Sequence, residues 1–269
     1  MDLVEQDIAT SLGRLRVRVG GEGPTMVFWP SLLMDGTMWA AQAEHFGADH
    51  RVVLVDPPGH GGSEPLTRLF DFDECARCVV QVLDHLGATT AHFVGNSWGG
   101  MIGATVAARF PERFDSAVLM NCTASPAPTR QRIEYGFLTA MARLAGGIRG
   151  PLVKPVLDAF VGKTTKRERP EVVSTIRAAL RRVDMASATW AVTSVVPRRP
   201  DQRGLATTIR ARVLVVAGAE DATFPVAETR VMADAIPGAR FVVLDRTAHL
   251  AGLENPAEVN ALISDFLVR

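Results

Sequence analysis

The chain has 269 residues, 47% of them hydrophobic and 22% charged, which is typical of one soluble α/β domain with or without a modest insertion. Lys and Arg number 29, as do Asp and Glu, so no net charge draws the protein towards nucleic acid or anionic membrane. Three cysteines cannot form a disulfide framework, and the pair Cys75 and Cys78 lacks a second ligand pair for a metal site.

The N-terminus and the hydropathy of the chain predict its location. The first ten residues, MDLVEQDIAT, include acids and no apolar segment typical of a signal peptide. No stretch approaches the roughly 18 uninterrupted apolar residues of a membrane helix. We therefore expect a cytoplasmic protein with no membrane or nucleic-acid partner. The oligomeric state is open, and a homodimer is one state that the sequence allows.

Short β-branched runs alternate with helical patterns along most of the chain, which predicts βαβ units and a mostly parallel sheet. We predict strands near Val4–Thr10, Arg14–Val19, Met26–Trp29, Val52–Asp56, Ala91–Gly95, Ser116–Asn121, Val213–Gly218 and Phe241–Leu244. The first two are expected to form an antiparallel hairpin. Helices are predicted near Met38–His45, Asp73–Leu86, Gly99–Arg109, Val226–Ala235 and Ala257–Leu267.

This alternation stops after residue 124. From Ser125 to Leu205 the periodicity is helical, with glycines and prolines between the helical patterns. The same segment holds fifteen Lys or Arg and six Asp or Glu. We therefore predict a core domain of residues 1–124 and 206–269, with an all-α cap inserted at 125–205. Within the cap, Lys163 to Arg169 is expected to be an exposed linker.

The stretch Gly95-Asn96-Ser97-Trp98-Gly99 places a serine between a predicted strand and a predicted helix. In that context G-x-S-x-G is typical of a nucleophile elbow, a strained turn that exposes the serine Oγ. The motif alone is also compatible with a polar tight turn. A serine hydroxyl becomes a strong nucleophile only beside a base and an acid that orients the base, so the assignment depends on two partners.

Asp221 and His249 are the predicted partners. They follow the last two strands of the sheet, in the chain order Ser, acid, His, and at the edge where parallel strands end. Glu220 is an alternative acid, but Asp221 is preferred because Gly218 and Pro225 complete the pattern G-x-x-D-x-x-x-P. None of the five other histidines combines this order with this edge.

Acyl transfer also requires donors for the tetrahedral oxyanion. The amide of Trp98, directly after the serine, is one predicted donor. The second is expected in the loop WPSLLMDGTMW, at the amide of Leu32 or one residue to either side, because Pro30-Ser31 replaces the usual His-Gly there. We also predict substrate contacts for four residues: Ser31, Leu33, Trp190 and Asn121.

Together these residues resemble the α/β-hydrolase superfamily. The matching segments are DPPGHGGSE, GNSWGGMIG, FPERFDSAVLMN, GAEDATFP and AHLAGLENPAEVNALISDFL. PSLLMDGTMWAAQ and IPGARFVVLDRTAHL look most like the β-ketoadipate enol-lactone hydrolases and their lactonase and esterase relatives. The resemblance implies an α/β-hydrolase fold with an eight-stranded sheet and a cap after the sixth strand. It also implies a Ser-His-Asp mechanism without metal or organic cofactor.

The expected function is hydrolysis of a small-molecule carboxylic ester or lactone. If at least two of Trp29, Trp98 and Trp190 line the cleft, the site favours a bulky apolar ring, for example a zearalenone-type macrolactone. Core packing is the alternative for these tryptophans. Three other functions stay open: carbon–carbon bond hydrolysis, which requires arginines that bind a substrate carboxylate, peroxide-dependent perhydrolysis, and a hydrolase-like receptor for a small molecule.

Overall fold

Eight strands form one sheet in the computed structural model, which describes residues 1–268. They are β1 Val4–Thr10, β2 Gly13–Gly20, β3 Thr25–Trp29, β4 Arg51–Val55, β5 Ala91–Asn96, β6 Phe114–Met120, β7 Arg212–Gly218 and β8 Arg240–Leu244. Their order is β1-β2-β4-β3-β5-β6-β7-β8. β2 pairs antiparallel with β1 and β4, and all other neighbours are parallel. The predicted eight-stranded, mostly parallel sheet is confirmed.

Helices cover the sheet and fill the segment between β6 and β7. They are α1 Ala40–Phe46, α2 Phe72–His85, α3 Trp98–Arg109, α4 Thr129–Leu144, α5 Val153–Phe160, α6 Lys163–Glu168, α7 Pro170–Arg182, α8 Met185–Val195, α9 Arg203–Ala206, α10 Val226–Ala235, α11 Ala251–Glu254 and α12 Pro256–Val268. α2 begins before the predicted residue because Asp71 and Glu74 form a capping box. No helix within residues 1–268 combines the length and apolar character that a membrane span requires.

The central strands are buried on both faces. In β3, Val27 and Trp29 belong to the apolar cluster on one face of the sheet, whereas Met26 and Phe28 belong to the cluster on the other. This alternation follows from the two-residue period of a strand. Because both faces are covered, the open edge at the carboxyl ends of the parallel strands is where the fold can build a site.

The segment between β6 and β7 contains α4 to α9 and no strand. Its division from the core as a separate domain at residues 125 and 205 stays a prediction. The expectation of an exposed linker at 163–169 is wrong, because Lys163–Glu168 form α6, whose Thr164 and Thr165 are buried. Thr164 donates to Glu220 and Thr165 to Glu254, so α6 is bound to loops of the sheet.

Candidate active site

Ser97 occupies the tight turn between β5 and α3. Its backbone adopts φ 57° and ψ −111°, a conformation that is strained for any residue with a side chain. A Cβ added at Gly95 would collide with the carbonyl of Gly99, and one at Gly99 would collide with the carbonyl of Trp29. Both glycines of the motif are therefore sterically required, and the turn directs Ser97 into a cavity that α4, α5 and α8 also line.

His249 and Asp221 form a buried pair at the same edge. His249 Nδ1 lies 2.9 Å from Asp221 Oδ2, and both side chains are almost completely buried. Asp221 Oδ1 accepts hydrogen bonds from the amides of Thr223, at 2.8 Å, and Phe224, at 3.1 Å. A carboxylate only accepts, so the imidazole proton lies on Nδ1 and Nε2 is left as the basic nitrogen.

The His249 loop is fixed from several sides. Its ring stacks on Phe160, with centroids 5.9 Å apart, and contacts Phe224 at 5.6 Å. Its carbonyl oxygen accepts from Asn96 Nδ2 at 2.8 Å and from Asn121 Nδ2 at 2.9 Å. These contacts restrict the ring to one orientation, as a general base requires.

Asn121 does not contact the cavity, so its predicted role in substrate binding is wrong. Its side chain is fully buried, and its Oδ1 accepts from Gly218 N at 2.7 Å. With its Nδ2 on the carbonyl of His249, it joins β7 to the histidine loop. Asn121 therefore supports the His249 loop from behind and is not part of the cavity wall. Its position directly after β6 predicted proximity to the site but not the direction of its amide.

Ser97 and His249 line the same cavity, but no hydrogen bond joins Ser97 Oγ to His249 Nε2 in the part of the chain that the structure describes. Such bonds are often long without substrate and tighten in the Michaelis complex. Glu220, the alternative acid, accepts from the amide and hydroxyl of Thr164 instead of from His249. The geometry therefore favours Asp221 as the acid.

Ser31, Leu32 and Leu33 line the cavity wall next to the serine. Leu33 N donates to His60 Nε2 at 3.1 Å, and Met34 N donates to Ser31 O. Among residues 1–268, Leu32 N has no acceptor, which makes it the loop amide available to an oxyanion. Leu33 also adopts a left-handed φ of 65°, which helps to turn the loop.

His60 holds this loop, a role that the order and edge criteria for a catalytic histidine do not predict. Its Nδ1 bonds to the carbonyl of Pro58 at 2.9 Å, which leaves Nε2 as the acceptor for Leu33 N. Burial lowers the pKa of His60, so the ring is neutral and keeps that acceptor. The sequence signal for this role is the histidine of the segment DPPGHGGSE, which follows β4.

We expect His60→Leu to lower kcat by about ten- to a hundredfold, less than the full loss of an oxyanion donor, because Leu33 N loses its acceptor and the loop loosens. His60→Gln retains an acceptor and should lose less activity. The control is His45→Gln at an exposed histidine, which should leave kcat unchanged. Steady-state kinetics of the three variants on one ester provides the test, and equal kcat for His60→Leu and wild type would contradict this role.

The lowered pKa of His60 also predicts acid sensitivity. Below about pH 6.5 the unfolded chain binds a proton at this histidine, whereas the folded chain does not until lower pH. The free energy of unfolding should therefore decrease as pH falls from 7.5 to 5.5. Urea unfolding at both values should show a smaller decrease for His60→Gln. If the free energy of unfolding decreased equally in His60→Gln and wild type, His60 would not be a source of the acid sensitivity.

The cavity has a volume of about 170 Å³ and is mainly apolar. Its apolar lining includes Leu138, Ala142, Ile148, Leu152, Val156, Phe160, Met185, Val192, Val195, Val196 and Phe224. Most of these residues come from the segment predicted as the cap, so that segment shapes the space above Ser97. Within the described chain no group of three His, Cys, Asp or Glu side chains could hold a metal ion.

The tryptophans are not part of this lining. Trp29, Trp39 and Trp98 are fully buried, and the Trp98 ring packs against Trp29 and Phe70. Trp190 is 37% exposed on α8, outside the cavity. The prediction of a substrate contact for Trp190 is therefore wrong, and the tryptophans give no support for an aromatic substrate.

Two charged residues near the site were also missed. Glu254 is 1% exposed and accepts from Ala248 N and Leu250 N, the amides on either side of His249. Burial raises the pKa of its carboxyl group. Arg199 lines the cavity although it is 5% exposed. Nothing in the sequence distinguishes Arg199 from the other basic residues of the segment predicted as the cap.

The family of this chain follows from comparison with known proteins. The model of the family described as alpha/beta hydrolase fold matches residues 24–256, and the chain belongs to this family. It is a hydrolase by class, and the predicted resemblance is confirmed. The order of the strands and the positions of the serine, acid and histidine agree with that family.

Similar proteins include two enol-lactonases and a hydrolase of another substrate class. The chain is 26% identical to 3-oxoadipate enol-lactonase 2 of Acinetobacter baylyi, over 99% of this chain and 96% of that protein. It is 29% identical to 2-hydroxy-6-oxononadienedioate/2-hydroxy-6-oxononatrienedioate hydrolase of Paraburkholderia phymatum, over 93% and 86%. The enol-lactonase structure from Burkholderia xenovorans LB400 matches with a TM-score of 0.90 at 27% identity, over 98% and 100%.

Proposed function

We propose that the protein is a serine hydrolase that cleaves carboxylic esters or lactones through an acyl-enzyme. The observation that carries this proposal is the convergence of Ser97, on its strained turn, and the buried His249–Asp221 pair on one apolar cavity. Similarity to the enol-lactonases supports the choice of an ester or lactone bond.

In the proposed mechanism, His249 Nε2 takes the proton of Ser97 as Oγ attacks the carbonyl carbon. Asp221 stabilises the imidazolium, and the amides of Leu32 and Trp98 donate to the oxyanion. When the tetrahedral intermediate collapses, His249 returns the proton to the leaving alcohol. A water activated by His249 then cleaves the acyl-enzyme. In a lactone the alcohol stays tethered, so one hydroxy acid leaves.

The cavity volume limits the size of the proposed substrate. An engineered apolar cavity of about 150 Å³ binds one benzene molecule, and this cavity is of similar size at about 170 Å³. We therefore propose an acyl group with a short chain or a single small ring. A macrolactone of the zearalenone type fits only if the cap helices move apart.

Carbon–carbon bond hydrolysis is the second candidate, and one observation favours it. That reaction needs an arginine for a substrate carboxylate, and Arg199 lines the cavity. The similarity to the Paraburkholderia phymatum hydrolase agrees with this alternative. Both reactions would use the same serine and histidine. Only the products, which show whether an ester bond or a carbon–carbon bond is cleaved, distinguish the two functions.

The test follows products by liquid chromatography with mass detection. Wild type and Ser97→Ala receive aryl esters, small lactones, an aromatic macrolactone and a carbon–carbon ring-cleavage product. The proposal expects wild type alone to add one water to esters and small lactones. Faster cleavage of the carbon–carbon substrate would favour the second candidate. Binding without turnover of any substrate would favour the receptor function.

The proposal retains three expectations from the sequence: a cytoplasmic location, a small-molecule substrate and catalysis without a cofactor. Removal of metals directly tests whether a metal cofactor is needed for catalysis. After dialysis against a chelator, ester hydrolysis should keep its full rate because Ser97, His249 and Asp221 supply the chemistry. A loss of activity that added metal restores would contradict the proposal. Sedimentation will show whether the protein is a homodimer.

A further inference from the structure

Glu254 is a buried carboxylate that the proposed mechanism does not use. It ends α11 and is almost completely buried. Its Oε1 accepts from Ala248 N at 3.1 Å and from Leu250 N at 3.0 Å, and its Oε2 accepts from the hydroxyl of Thr165 at 2.5 Å. Burial of a carboxylate is costly unless a cation or several hydrogen bonds compensate for the lost water. At Glu254 the compensation comes from these neutral donors.

The two amides on either side of His249 converge on one oxygen atom. Backbone N–H groups that point at the same place form a concave site that favours an anion, and Glu254 Oε1 is that anion. The carbonyl of His249 is held as well, by the side-chain amides of Asn96 and Asn121. The backbone is therefore fixed before, at and after the histidine, and a fixed backbone restricts the direction of the imidazole.

Glu254 differs in this respect from the other carboxylates near the site. Asp221 bonds to the imidazole itself, and Glu220 bonds to Thr164 of α6. Glu254 does not line the cavity, and its bonds go to the main chain around His249. Any effect of Glu254 on catalysis therefore passes through the position of the histidine and not through contact with the reacting atoms.

Thr165 connects this arrangement to α6. Its side chain is fully buried, and its hydroxyl is the donor to Glu254 Oε2. The adjacent Thr164 donates to Glu220 instead. Two neighbouring threonines of one helix thus contact two different loops, and only Thr165 contacts the carboxylate that holds the His249 loop.

We infer that Glu254 is a positioning residue for the hydrolysis, whose carboxylate fixes the backbone on both sides of His249, and that the hydroxyl of Thr165 keeps this carboxylate in place when α6 is docked. This inference rests on the proposed function and adds two residues to it. No bond to Glu254 forms or breaks in the reaction. Its replacement should therefore lower kcat and leave KM nearly unchanged.

Two substitutions at Glu254 test its reach. Glu254→Asp keeps the charge but is one methylene shorter, and it should lower kcat on an aryl ester by about a hundredfold, the scale expected when a reacting group is displaced by about 1 Å. Glu254→Gln keeps the length and one acceptor oxygen, so it should retain more of the wild-type kcat. Urea unfolding of both variants ensures that kcat refers to folded protein. A wild-type kcat for folded Glu254→Asp would overturn the inference.

A control separates this role from a general loss of stability. Ser116→Ala removes a buried hydroxyl that bonds to His92 near the start of β6, away from the edge that carries the site. It should keep the wild-type kcat. If Ser116→Ala lowers kcat as much as Glu254→Asp does, loss of any buried polar contact explains the effect and the inference fails.

The adjacent threonines provide a matched comparison for α6. Thr165→Val and Thr164→Val each remove one hydroxyl that docks the helix, with little change in side-chain shape. We expect Thr165→Val to lower kcat by up to about tenfold, the scale of one buried hydrogen bond, and Thr164→Val to lower it less. In the Glu254→Gln background the effect of Thr165→Val should shrink, because the two residues act through one contact. Equal kcat for the two threonine variants would contradict the part assigned to Thr165.

An NMR measurement tests the position of the imidazole without turnover. The Nδ1 proton of His249 lies in a buried hydrogen bond to Asp221, which should shift its signal downfield of the amide protons and slow its exchange with water. Glu254→Asp should move this signal and speed up the exchange, whereas Ser116→Ala should not. An unchanged signal in Glu254→Asp would overturn the inference. If wild type hydrolyses no ester but the signal still moves, the proposed function fails while the positioning of His249 by Glu254 stands.

Discussion

Replacement of Ser97 by alanine should reduce kcat on a reactive aryl ester by about a million-fold, the scale seen when a serine nucleophile is removed. The attacking Oγ is lost, and no other hydroxyl occupies the elbow. KM should change little, because the apolar lining of the cavity is intact. Rates of 4-nitrophenolate release at saturating ester measure the effect.

The controls separate chemistry from folding. Ser174→Ala removes an exposed serine from α7 and should retain the wild-type kcat. Thermal unfolding of Ser97→Ala should resemble that of wild type, since the alanine keeps the backbone hydrogen bonds of residue 97 with Met120 and Met101. A residual activity within a hundredfold of wild type would show that another residue is the nucleophile.

Asp221→Asn should reduce kcat by about ten-thousand-fold. An amide at this position no longer stabilises the imidazolium, and it favours the wrong tautomer of His249 because its NH2 donates where the carboxylate accepted. The side chain keeps its size, so the buried loop around Thr223 and Phe224 should stay folded. kcat at several pH values, with unfolding curves for each variant, provides the measurement.

The matched control is the neighbouring carboxylate. Glu220→Gln removes a negative charge one residue away, but Glu220 contacts Thr164 of α6 rather than His249. We expect a loss of tenfold or less, from weaker docking of α6. If Glu220→Gln lowers kcat as much as Asp221→Asn does, the acid has been assigned to the wrong residue.

The docking of α6 connects the segment predicted as the cap to the loops that carry Asp221 and His249. Thr164 and Thr165 contact Glu220 and Glu254, the first beside Asp221 and the second bound to the amides that flank His249. Arg246 pairs with Glu168 at the same junction. A movement of the helices above the cavity would therefore shift the loops that carry Asp221 and His249.

The sequence predicted the sheet and the candidate triad because each left a local signal. Strands of β-branched residues, the glycines around Ser97, and acids or histidines directly after strands are visible without coordinates. Parallel strands then bring their carboxyl ends to one edge, so chain order was enough to select Asp221 and His249.

Side-chain direction in the segment predicted as the cap left no such signal. Trp190 faces outwards and Arg199 faces the cavity, although both lie in or just after one helix of the basic segment. Their orientation depends on how α4 and α8 pack over the core, which is a tertiary property. The contacts of Asn121 and α6 could not be predicted from the sequence for the same reason. Their hydrogen bonds join segments that are far apart in the chain.

Capture of the acyl-enzyme tests the central claim most directly. Wild-type enzyme is mixed with a 4-nitrophenyl ester, quenched in acid within milliseconds, digested and examined by peptide mass spectrometry. The account predicts the mass of the acyl group on the peptide that contains Ser97, and its disappearance when the quench is delayed until the ester is consumed. Product formation with no adduct, or with an adduct on another residue, would contradict the assignment of Ser97 as nucleophile.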